Sequence, residues 1–200
     1  MRGSIVIVSF FVLGVFVGLF HLIPYDFTQS KLSYYALCAL MFFVGFSVGN
    51  DSKTLKRFRS INPRLVLLPV VTILGTLVGS AFISLLLSQR SLTDCLAVGS
   101  GFGYYSLSSI FITEYKGAEL GTIALLSNIS REIITLLFAP LLVKYFSKLA
   151  PISAGGATTM DTTLPIIARF SGQSFVVVAI FHGFIVDLSV PFLVVFFCSI

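Results

Sequence analysis

Long runs of apolar residues, separated by short polar segments, are the main pattern of the sequence. A helix needs roughly 20 mostly apolar residues to cross the hydrocarbon core of a bilayer. Several segments approach that length, and the first three and the last are uniformly apolar. The segments lie at residues 4–23, 32–49, 65–87, 94–112, 120–143, 151–169 and 173–198. The pattern predicts an all-α, polytopic helical membrane protein with about seven transmembrane segments.

Two of these segments are interrupted by residues that break helices. The first contains GSGFGYYSLSSI, with three glycines, and the second contains APISAGGATTMDTTLP. Glycine costs about 1 kcal/mol in a helix interior and proline about 3 kcal/mol, and broken backbone persists in lipid only where protein or a wet cavity satisfies it. We therefore predict broken or re-entrant helices near 99–110 and 151–165, which are typical of transport sites. External loops are the alternative. If both segments are re-entrant, five true spans remain.

Composition and charge support the membrane assignment. The chain is 56% hydrophobic and 10% charged, whereas soluble domains are about 45–50% apolar and about 25% charged. The net charge of +5 does not indicate a nucleic-acid partner, because five of the 13 basic residues lie in one short loop, NDSKTLKRFRSINPR. Short basic loops stay in the cytoplasm. The N-terminus is therefore expected inside and the C-terminus outside, with either five or seven spans.

The remaining features of the sequence concern cofactors, a signal peptide and the number of domains. Cys38, Cys95 and Cys198 are far apart and form neither a metal-ligand nor a disulfide pattern, so no metal or other cofactor is expected. Residues 4–23 form a run too long for an ordinary signal peptide, and no small-x-small cleavage site follows it. The run is therefore interpreted as a retained first span. By length, residues 1–200 are predicted to form a single transmembrane transporter domain.

A few ionisable residues lie inside the predicted spans. A charge at the centre of a membrane helix costs roughly 2.5–3.5 kcal/mol on insertion scales, so such residues are candidates for function. Asp187 is either a third acid of a transport pathway or a partner of Arg131 or Arg169. The full set is Arg131, Glu132, Asp161, His182 and Asp187.

The segment SNISREI places three polar side chains on one otherwise apolar helix. Asn128 and Glu132 are spaced i, i+4 and share a face, whereas Arg131 lies about 100° round the helix from Glu132. All three are candidate substrate or proton-binding residues. The alternative is structural, with Arg131 bonded to carbonyl groups of another helix or to Asp161.

The second interrupted segment contains an acid among hydroxyl groups. Asp161, Thr159 and Thr162 are candidates for substrate or proton binding, and the threonine hydroxyls near Asp161 can also satisfy freed backbone groups. The alternative role of Asp161 is to cap a half-helix over 162–170, with Pro165 in the first turn. The neighbouring threonines are Thr158, Thr159, Thr162 and Thr163.

Four further side chains complete the candidate list, and one of them is Ser106 in the first interrupted segment. Tyr104 and Tyr105 follow the broken GFG sequence, where they either contact a ligand or simply pack. His182 either handles substrate or protons or is a hydrogen-bonded interior residue. The other histidine lies at the end of a predicted span, so no histidine-based metal site is expected.

Four segments occur in an order that is typical of a known family. They are GSGFGYYSLSSIFITE, SNISREIITLLFAP, GGATTMDTTLPIIARF and HGFIVDLSVPFLVVFF. With these motifs the sequence resembles the LysO family of bacterial L-lysine exporters over nearly its whole length. The resemblance implies an inner-membrane exporter of L-lysine and of its analogue thialysine, with intramembrane acids at Glu132 and Asp161. Family members carry further N-terminal spans. A separate small membrane protein is therefore expected to supply the missing helices.

The chemistry of lysine fits the candidate residues. Glu132 and Asp161 would hold its ammonium, and half-helix N-termini near Ser106 and Thr162 would face its carboxylate. Exporting one positive charge from a negative cell costs about 2.3 kcal/mol per 100 mV. Exchange for an incoming proton removes that cost, and a buried carboxylate can carry the proton. The sequence therefore favours proton antiport.

Three other functions remain as alternatives. The chain is a secondary transporter of another small charged metabolite, a non-transporting membrane subunit or an intramembrane enzyme. The enzyme is disfavoured because Ser130 and His182 form no catalytic set with other residues. A scaffolding subunit would have no use for costly buried acids. A homo-oligomer is compatible with all of them.

Overall fold

The computed structural model describes residues Leu13, Phe16, Val17, Phe20 and Tyr35 and the continuous range 63–200. The chain divides into two compact units, Met1–Val44 and Gly45–Ile200. In the first unit the rings of Phe16 and Phe20 stack with their centroids 5.7 Å apart. The predicted spans 4–23 and 32–49 lie mostly outside the described residues, and so does most of the basic loop. Whether residues 1–200 act as one transporter domain stays a prediction.

The second unit is helical throughout its described part, with no strand between residues 63 and 200. Two 3₁₀ turns, Gly156–Met160 and Gln173–Phe175, interrupt the α-helices. The helices are α1 Pro63–Val66, α2 Leu68–Leu86, α3 Leu92–Gly99, α4 Tyr105–Lys116, α5 Ala118–Tyr145, α6 Ala150–Gly155, α7 Leu164–Phe170 and α8 Val176–Ser199. The prediction of an all-α membrane protein is confirmed.

Three helical segments of the described range are long and apolar enough to cross a membrane. They are α2, α5 and Gln173–Ser199, with 19, 28 and 27 residues. At 1.5 Å per residue they are about 28, 42 and 40 Å long, against a hydrocarbon core of about 30 Å. They correspond to the predicted spans 65–87, 120–143 and 173–198.

Helices α3 and α4 form a hairpin that enters and leaves by the same side. Lys116, at the end of α4, lies 3.7 Å from the Asp94 carboxylate in the first turn of α3. Arg90, just before α3, forms an ion pair with Glu119 at the start of α5. We call this side, with its four charged residues, the Arg90 face. The predicted segment 94–112 is therefore re-entrant, and α3 and α4 with the residues between them are the first hairpin.

Helices α6 and α7, with the 3₁₀ turn between them, form a second hairpin. Ile152 of α6 and Ile167 of α7 are both fully buried in one apolar cluster with Val178 and Ala179 near the start of α8. The partly buried residues of this side are Leu65, Leu68, Leu149, Leu164 and Phe175. We call this side the Leu149 face. The predicted segment 151–169 therefore also enters and leaves by one face.

The order of helices puts the two hairpins on opposite sides. Helix α2 begins at the Leu149 face and ends near the Arg90 face, α5 runs back, and α8 crosses again. Helix α3 is about 12 Å long by its eight residues, close to half of the roughly 30 Å core. The tips of the hairpins consequently meet inside the protein, which is the re-entrant alternative that the sequence left open.

Candidate functional site

The tips of the two hairpins touch through their backbones. The Ala157 N–H donates to the Phe102 carbonyl at 2.9 Å. Gly156 has φ of 63°, and a Cβ there would collide with that same carbonyl. Gly103 has φ of 92°, and its Cβ would lie 3.1 Å from the Gly155 carbonyl oxygen. Glycine permits both the left-handed backbone and the close approach, which explains why both broken segments contain it.

Asn128 of α5 holds the tip of the first hairpin. Its Oδ1 accepts from the Gly103 N–H at 2.7 Å, and its Nδ2 donates to the Val98 carbonyl at 3.3 Å and the Ala124 carbonyl at 2.9 Å. The side chain is 3% exposed. Asn128 therefore satisfies polar groups that the broken helix leaves without partners, and its amide is occupied by protein.

Arg131 holds the second hairpin from the same helix. Its Nε donates to the Ala154 carbonyl at 2.8 Å and a terminal nitrogen to the Ser153 carbonyl at 3.0 Å. The guanidinium also lies 3.4 Å from the Thr76 hydroxyl and 5.9 Å from the centre of the Phe102 ring. The positive charge sits at the C-terminal end of α6, where a helix favours cations. Of the two structural alternatives, bonding to carbonyl groups of another helix is the one observed.

His182 of α8 contacts both the second tip and helix α2. The side chain is fully buried, with Nδ1 3.3 Å from the Thr159 hydroxyl and Nε2 3.0 Å from the Thr72 hydroxyl of α2. Thr159 also donates toward the Ala179 carbonyl of α8 at 2.9 Å. Gly183 lets the turn approach, since an added Cβ would lie 2.7 Å from the Met160 nitrogen. His182 and Thr159 thus have the contacts of hydrogen-bonded interior residues.

An acidic cluster lies beside the junction of the tips. Asp161 follows the 3₁₀ turn at the tip of the second hairpin and is exposed. Its Oδ1 accepts from the Thr162 N–H at 2.5 Å. The second tip packs on α8 at Gly183, where an added Cβ would lie 2.7 Å from the Met160 nitrogen. Asp161 follows Met160, and Asp187 lies one turn further along the same face of α8. Tyr104 follows the first tip, whose Phe102 carbonyl bonds to the second tip. Asp187 is only 7% exposed. Tyr104, Asp161 and Asp187 are therefore brought together, and they are called the acidic cluster below.

Asp161 does not have the capping role that the sequence also allowed. Helix α7 begins at Leu164, two residues later than the half-helix predicted over 162–170, and its N-cap residue is Thr163 without a side-chain cap. Pro165 does lie in the first turn. The freed groups of the tip are instead satisfied locally, with the Thr158 hydroxyl 3.2 Å from that of Thr163.

Other candidates lie apart from these contacts. Glu132 is half-buried on α5. Seen down the helix axis, Arg131 lies on one side of Asn128 and Glu132 on the other. The Glu132 carboxylate accepts no hydrogen bond from any residue that the structure describes. Tyr105 and Ser106 are exposed on the first turn of α4. Thr162 is also exposed, but it lies beside Asp161, whose Oδ1 accepts from its N–H and lies 3.4 Å from its hydroxyl. Among the described residues, no group of three or more His, Cys, Asp or Glu is placed to hold a metal ion.

A separate cavity of about 890 Å³ opens between α2, α3 and α5. It is lined mainly by apolar side chains and includes Arg90 and Asp94 of the Arg90 face. Thr76, which contacts Arg131, and Ser127 of α5 also line it. The cavity therefore begins close to the Arg131 contacts, yet it does not contain the acidic cluster.

The chain resembles known exporters over nearly all of its length. A family model described as lysine exporter LysO matches residues 8–198. The chain is 37% identical over 170 residues to lysine exporter LysO of Escherichia coli (strain K12), which covers 85% of this chain and 56% of the relative. It is 38% identical over 165 residues to a putative lysine exporter of Haemophilus influenzae, covering 82% and 83%. The chain thus spans just over half the length of the first relative. No solved structure matches it.

Proposed function

Because the chain belongs to the lysine exporter LysO family, we propose that it exports L-lysine across the inner membrane as a secondary transporter. The observation that carries the proposal is the acidic cluster beside two hairpin tips that enter from opposite faces. Secondary transporters place their substrate sites near the bilayer midplane, where discontinuous helices meet. The alternatives are a transporter of another small charged metabolite and a non-transporting subunit.

The groups around the junction suit a dibasic amino acid. Lysine has two ammonium groups and one carboxylate, so its site needs acids and also hydrogen-bond donors. Asp161 and Glu132 are the acids proposed for the ammonium groups. The first turn of α4, with Tyr105 and Ser106 exposed, offers backbone N–H groups and the positive end of a helix dipole to the carboxylate.

Proton exchange is the coupling that we propose. Export of a cation from a negative cell costs about 2.3 kcal/mol per 100 mV. Exchange for one proton makes the cycle electrically neutral, and Asp161 or Glu132 would alternate between the proton and the ammonium. In liposomes, a pH gradient imposed without a membrane potential should then drive lysine flux. A flux that ignores the gradient would exclude this coupling.

Several further features belong to the same proposal. Thialysine is the second expected substrate, because it differs from lysine by one side-chain sulfur. A small membrane protein that completes the transporter is also part of the proposal. The N-terminus is proposed to lie in the cytoplasm and the C-terminus outside. A homo-oligomer is compatible with each of these features.

An efflux experiment tests the function directly. Cells lacking their own lysine exporters would express the chain, with and without a candidate small partner, and would be fed a lysine-containing dipeptide. Glu132→Gln and Asp161→Asn should each lower lysine efflux about tenfold or more, because an ionic contact contributes about 1.5–3 kcal/mol and 1.4 kcal/mol is tenfold.

The control for this experiment is Glu114→Gln. Glu114 is exposed near the end of α4, away from the acidic cluster, so efflux should stay at the unmodified level. Efflux only with the partner would support a two-component transporter. If the protein reaches the membrane but neither form exports lysine, the lysine proposal is wrong, and parallel assays with ornithine and arginine would test another cationic substrate.

A further inference from the structure

Asp187 is a buried acid in the middle of an apolar helix. It is 7% exposed, and Val186 and Val190 beside it on α8 are fully buried. Among the described residues, no N–H or O–H group donates a hydrogen bond to its carboxylate. A buried carboxylate without a partner costs several kcal/mol, about 2.5–3.5 kcal/mol on insertion scales. Some cation or proton is therefore needed to neutralise it.

The described ionisable residues around Asp187 are acids or are bound to other groups. Asp161 follows Met160, whose nitrogen lies against Gly183 one turn before Asp187 on α8, and Tyr104 follows the first tip, which bonds to the second. On α8 itself, the His182 ring is occupied by two threonine hydroxyls. On α5, the Arg131 guanidinium is occupied by carbonyl groups of the second hairpin.

The cations on the other helices packed against α8 are also engaged elsewhere. Arg169 of α7 is exposed, and its guanidinium lies 5.4 Å from the centre of the Phe170 ring. Helix α8 packs against α3 and α4, whose ionisable residues include Asp94 and Lys116, and these two pair with each other at the Arg90 face. No described cation therefore neutralises the two carboxylates of the acidic cluster.

We propose that Asp161 and Asp187 together form one binding site for a primary ammonium group, with the Tyr104 hydroxyl at its edge. Its extension to lysine rests on the proposed function. A carboxylate as buried as Asp187, beside a second carboxylate, does not stay ionised without a cation, so the site holds either a proton or the ammonium. Arrival of the ammonium releases the proton. Departure of the ammonium requires a proton to return.

The different burial of the two acids gives each a distinct part. Asp161 is exposed and Asp187 is buried, so the ammonium first meets Asp161 and then moves inward to Asp187. Asp187 decides whether the site can empty without a proton. It is accordingly a specificity residue for cations, in addition to the acids of the proposed function.

Calorimetry on the purified full-length chain tests this site. L-Lysine would be titrated in two buffers of different ionisation enthalpy, which gives the number of protons released on binding. The unmodified protein should release a proton. Asp187→Asn should bind lysine about tenfold or more weakly, for the loss of a charged contact of at least 1.4 kcal/mol, and should release none. Asp187→Glu should keep the release, and Glu114→Gln should keep both properties.

Thermal unfolding separates this role from a structural one. An amide at position 187 removes the uncompensated charge, so Asp187→Asn should unfold at the same or a higher temperature than the unmodified protein. Unchanged affinity and proton release in Asp187→Asn would overturn the proposal. If Asp187→Asn does not fold, the proton release of the unmodified protein and its retention in Asp187→Glu decide the matter.

The same assay distinguishes failure of the site from failure of the lysine proposal. Cadaverine, L-arginine and Na⁺ would be titrated beside L-lysine. If the protein binds cadaverine or arginine with proton release but not lysine, the site stands and the proposed substrate is wrong. If the unmodified protein binds Na⁺ alone, or binds none of the four cations, the ammonium site is overturned.

Discussion

At the scale of single residues, two side chains of α5 organise the junction. Asn128 bonds to the first hairpin and Arg131 to the second. They are three positions apart, so they lie on neighbouring parts of one helix surface. Each directs hydrogen bonds at backbone groups that a broken helix exposes. One helix therefore sets the position of both tips, and the polar SNISREI motif has this structural part in addition to its candidate acid, Glu132.

Replacement of Asn128 should separate this support from substrate binding. Asn128→Ala leaves the buried Gly103 N–H without its acceptor and should lower the free energy of unfolding by about 1–3 kcal/mol for each buried group left unpaired. Circular dichroism during heating measures the effect. Ser130→Ala, at an exposed position of the same helix, should change it little. Equal stability of the two variants would contradict a supporting role for Asn128.

Arg131 should not be replaceable by lysine. The planar guanidinium reaches two carbonyl groups at once, and an ammonium cannot reproduce that geometry. Arg131→Lys should therefore lose about 1.5–3 kcal/mol of stability, the contribution of hydrogen bonds to a charged group. Arg169→Lys is the matched change, because Arg169 is exposed at the end of α7. If Arg131→Lys and Arg169→Lys have equal stability, the bidentate contact of Arg131 does not stabilise the protein.

At the scale of elements, the hairpins depend on a backbone crossing that only glycine permits. Both tips contain a glycine with positive φ, and both face the other tip. Phe102, whose carbonyl accepts the bond between the tips, itself has φ of 45°. Such a conformation costs about 1–3 kcal/mol and persists only when the surroundings impose it. The junction is thus held in a strained form by both hairpins together.

Gly156→Ala should disrupt the crossing. The new methyl group would collide with the Phe102 carbonyl and force an L-residue into left-handed backbone, which alone costs about 1–2 kcal/mol. Gly75→Ala is the control, because nothing lies within 4 Å of a Cβ there and alanine favours a helix by about 1 kcal/mol. Unfolding temperature and lysine efflux should both fall for the first variant only. Efflux that survives Gly156→Ala would mean that the crossing is dispensable.

At the scale of the whole second unit, two similar parts run in opposite directions. Helix α2 with the first hairpin crosses from the Leu149 face, and α5 with the second hairpin crosses back from the Arg90 face. Oppositely oriented repeats of this kind occur in many secondary transporters, where the site lies between them. The acidic cluster lies beside the contact between the tips. Each hairpin is therefore well placed to open the site toward one side of the membrane.

Cysteine labelling tests the re-entrant topology. In a form with Cys38, Cys95 and Cys198 replaced by serine, the exposed positions Ser88 and Ala118 would each be changed to cysteine. They flank the first hairpin, so an impermeant maleimide added to intact cells should label both or neither. A transmembrane segment 94–112 would put them on opposite sides. Labelling of only one would overturn the hairpin.

The second hairpin has its own pair of positions. Ser147 and Ser174 are both exposed and flank it at the Leu149 face. Cysteines at these two positions should react alike, and opposite to Ser88→Cys and Ala118→Cys. Identical labelling of all four from one side would contradict entry of the hairpins from opposite faces.

The sequence determined the features that depend on local chemistry. Apolar runs of sufficient length predicted α2, α5 and α8, because burying backbone in lipid requires a complete helix. Clusters of glycine, proline and hydroxyl residues predicted the two breaks, since together they lower the stability of a continuous helix. Single prolines do not break α5 and α8, which contain Pro140 and Pro191. Likewise, the free-energy cost of a charge inside the membrane identified Arg131, Asp161 and Asp187 as candidates for function.

Only the tertiary structure decided which of these features meet. Hydropathy cannot distinguish a hairpin from a span, because both are apolar; the ion pair of Asp94 with Lys116 across the first hairpin does so. From the sequence, Arg131 could bond to carbonyl groups of another helix or to Asp161. Asp187 could act as a third acid or pair with Arg131 or Arg169. Asn128 with Gly103 and Thr159 with His182 are 25 and 23 positions apart, and such contacts depend on how helices cross rather than on local preference. Local chemistry therefore identified the candidate residues, and the packing of the helices decided which of them lie together.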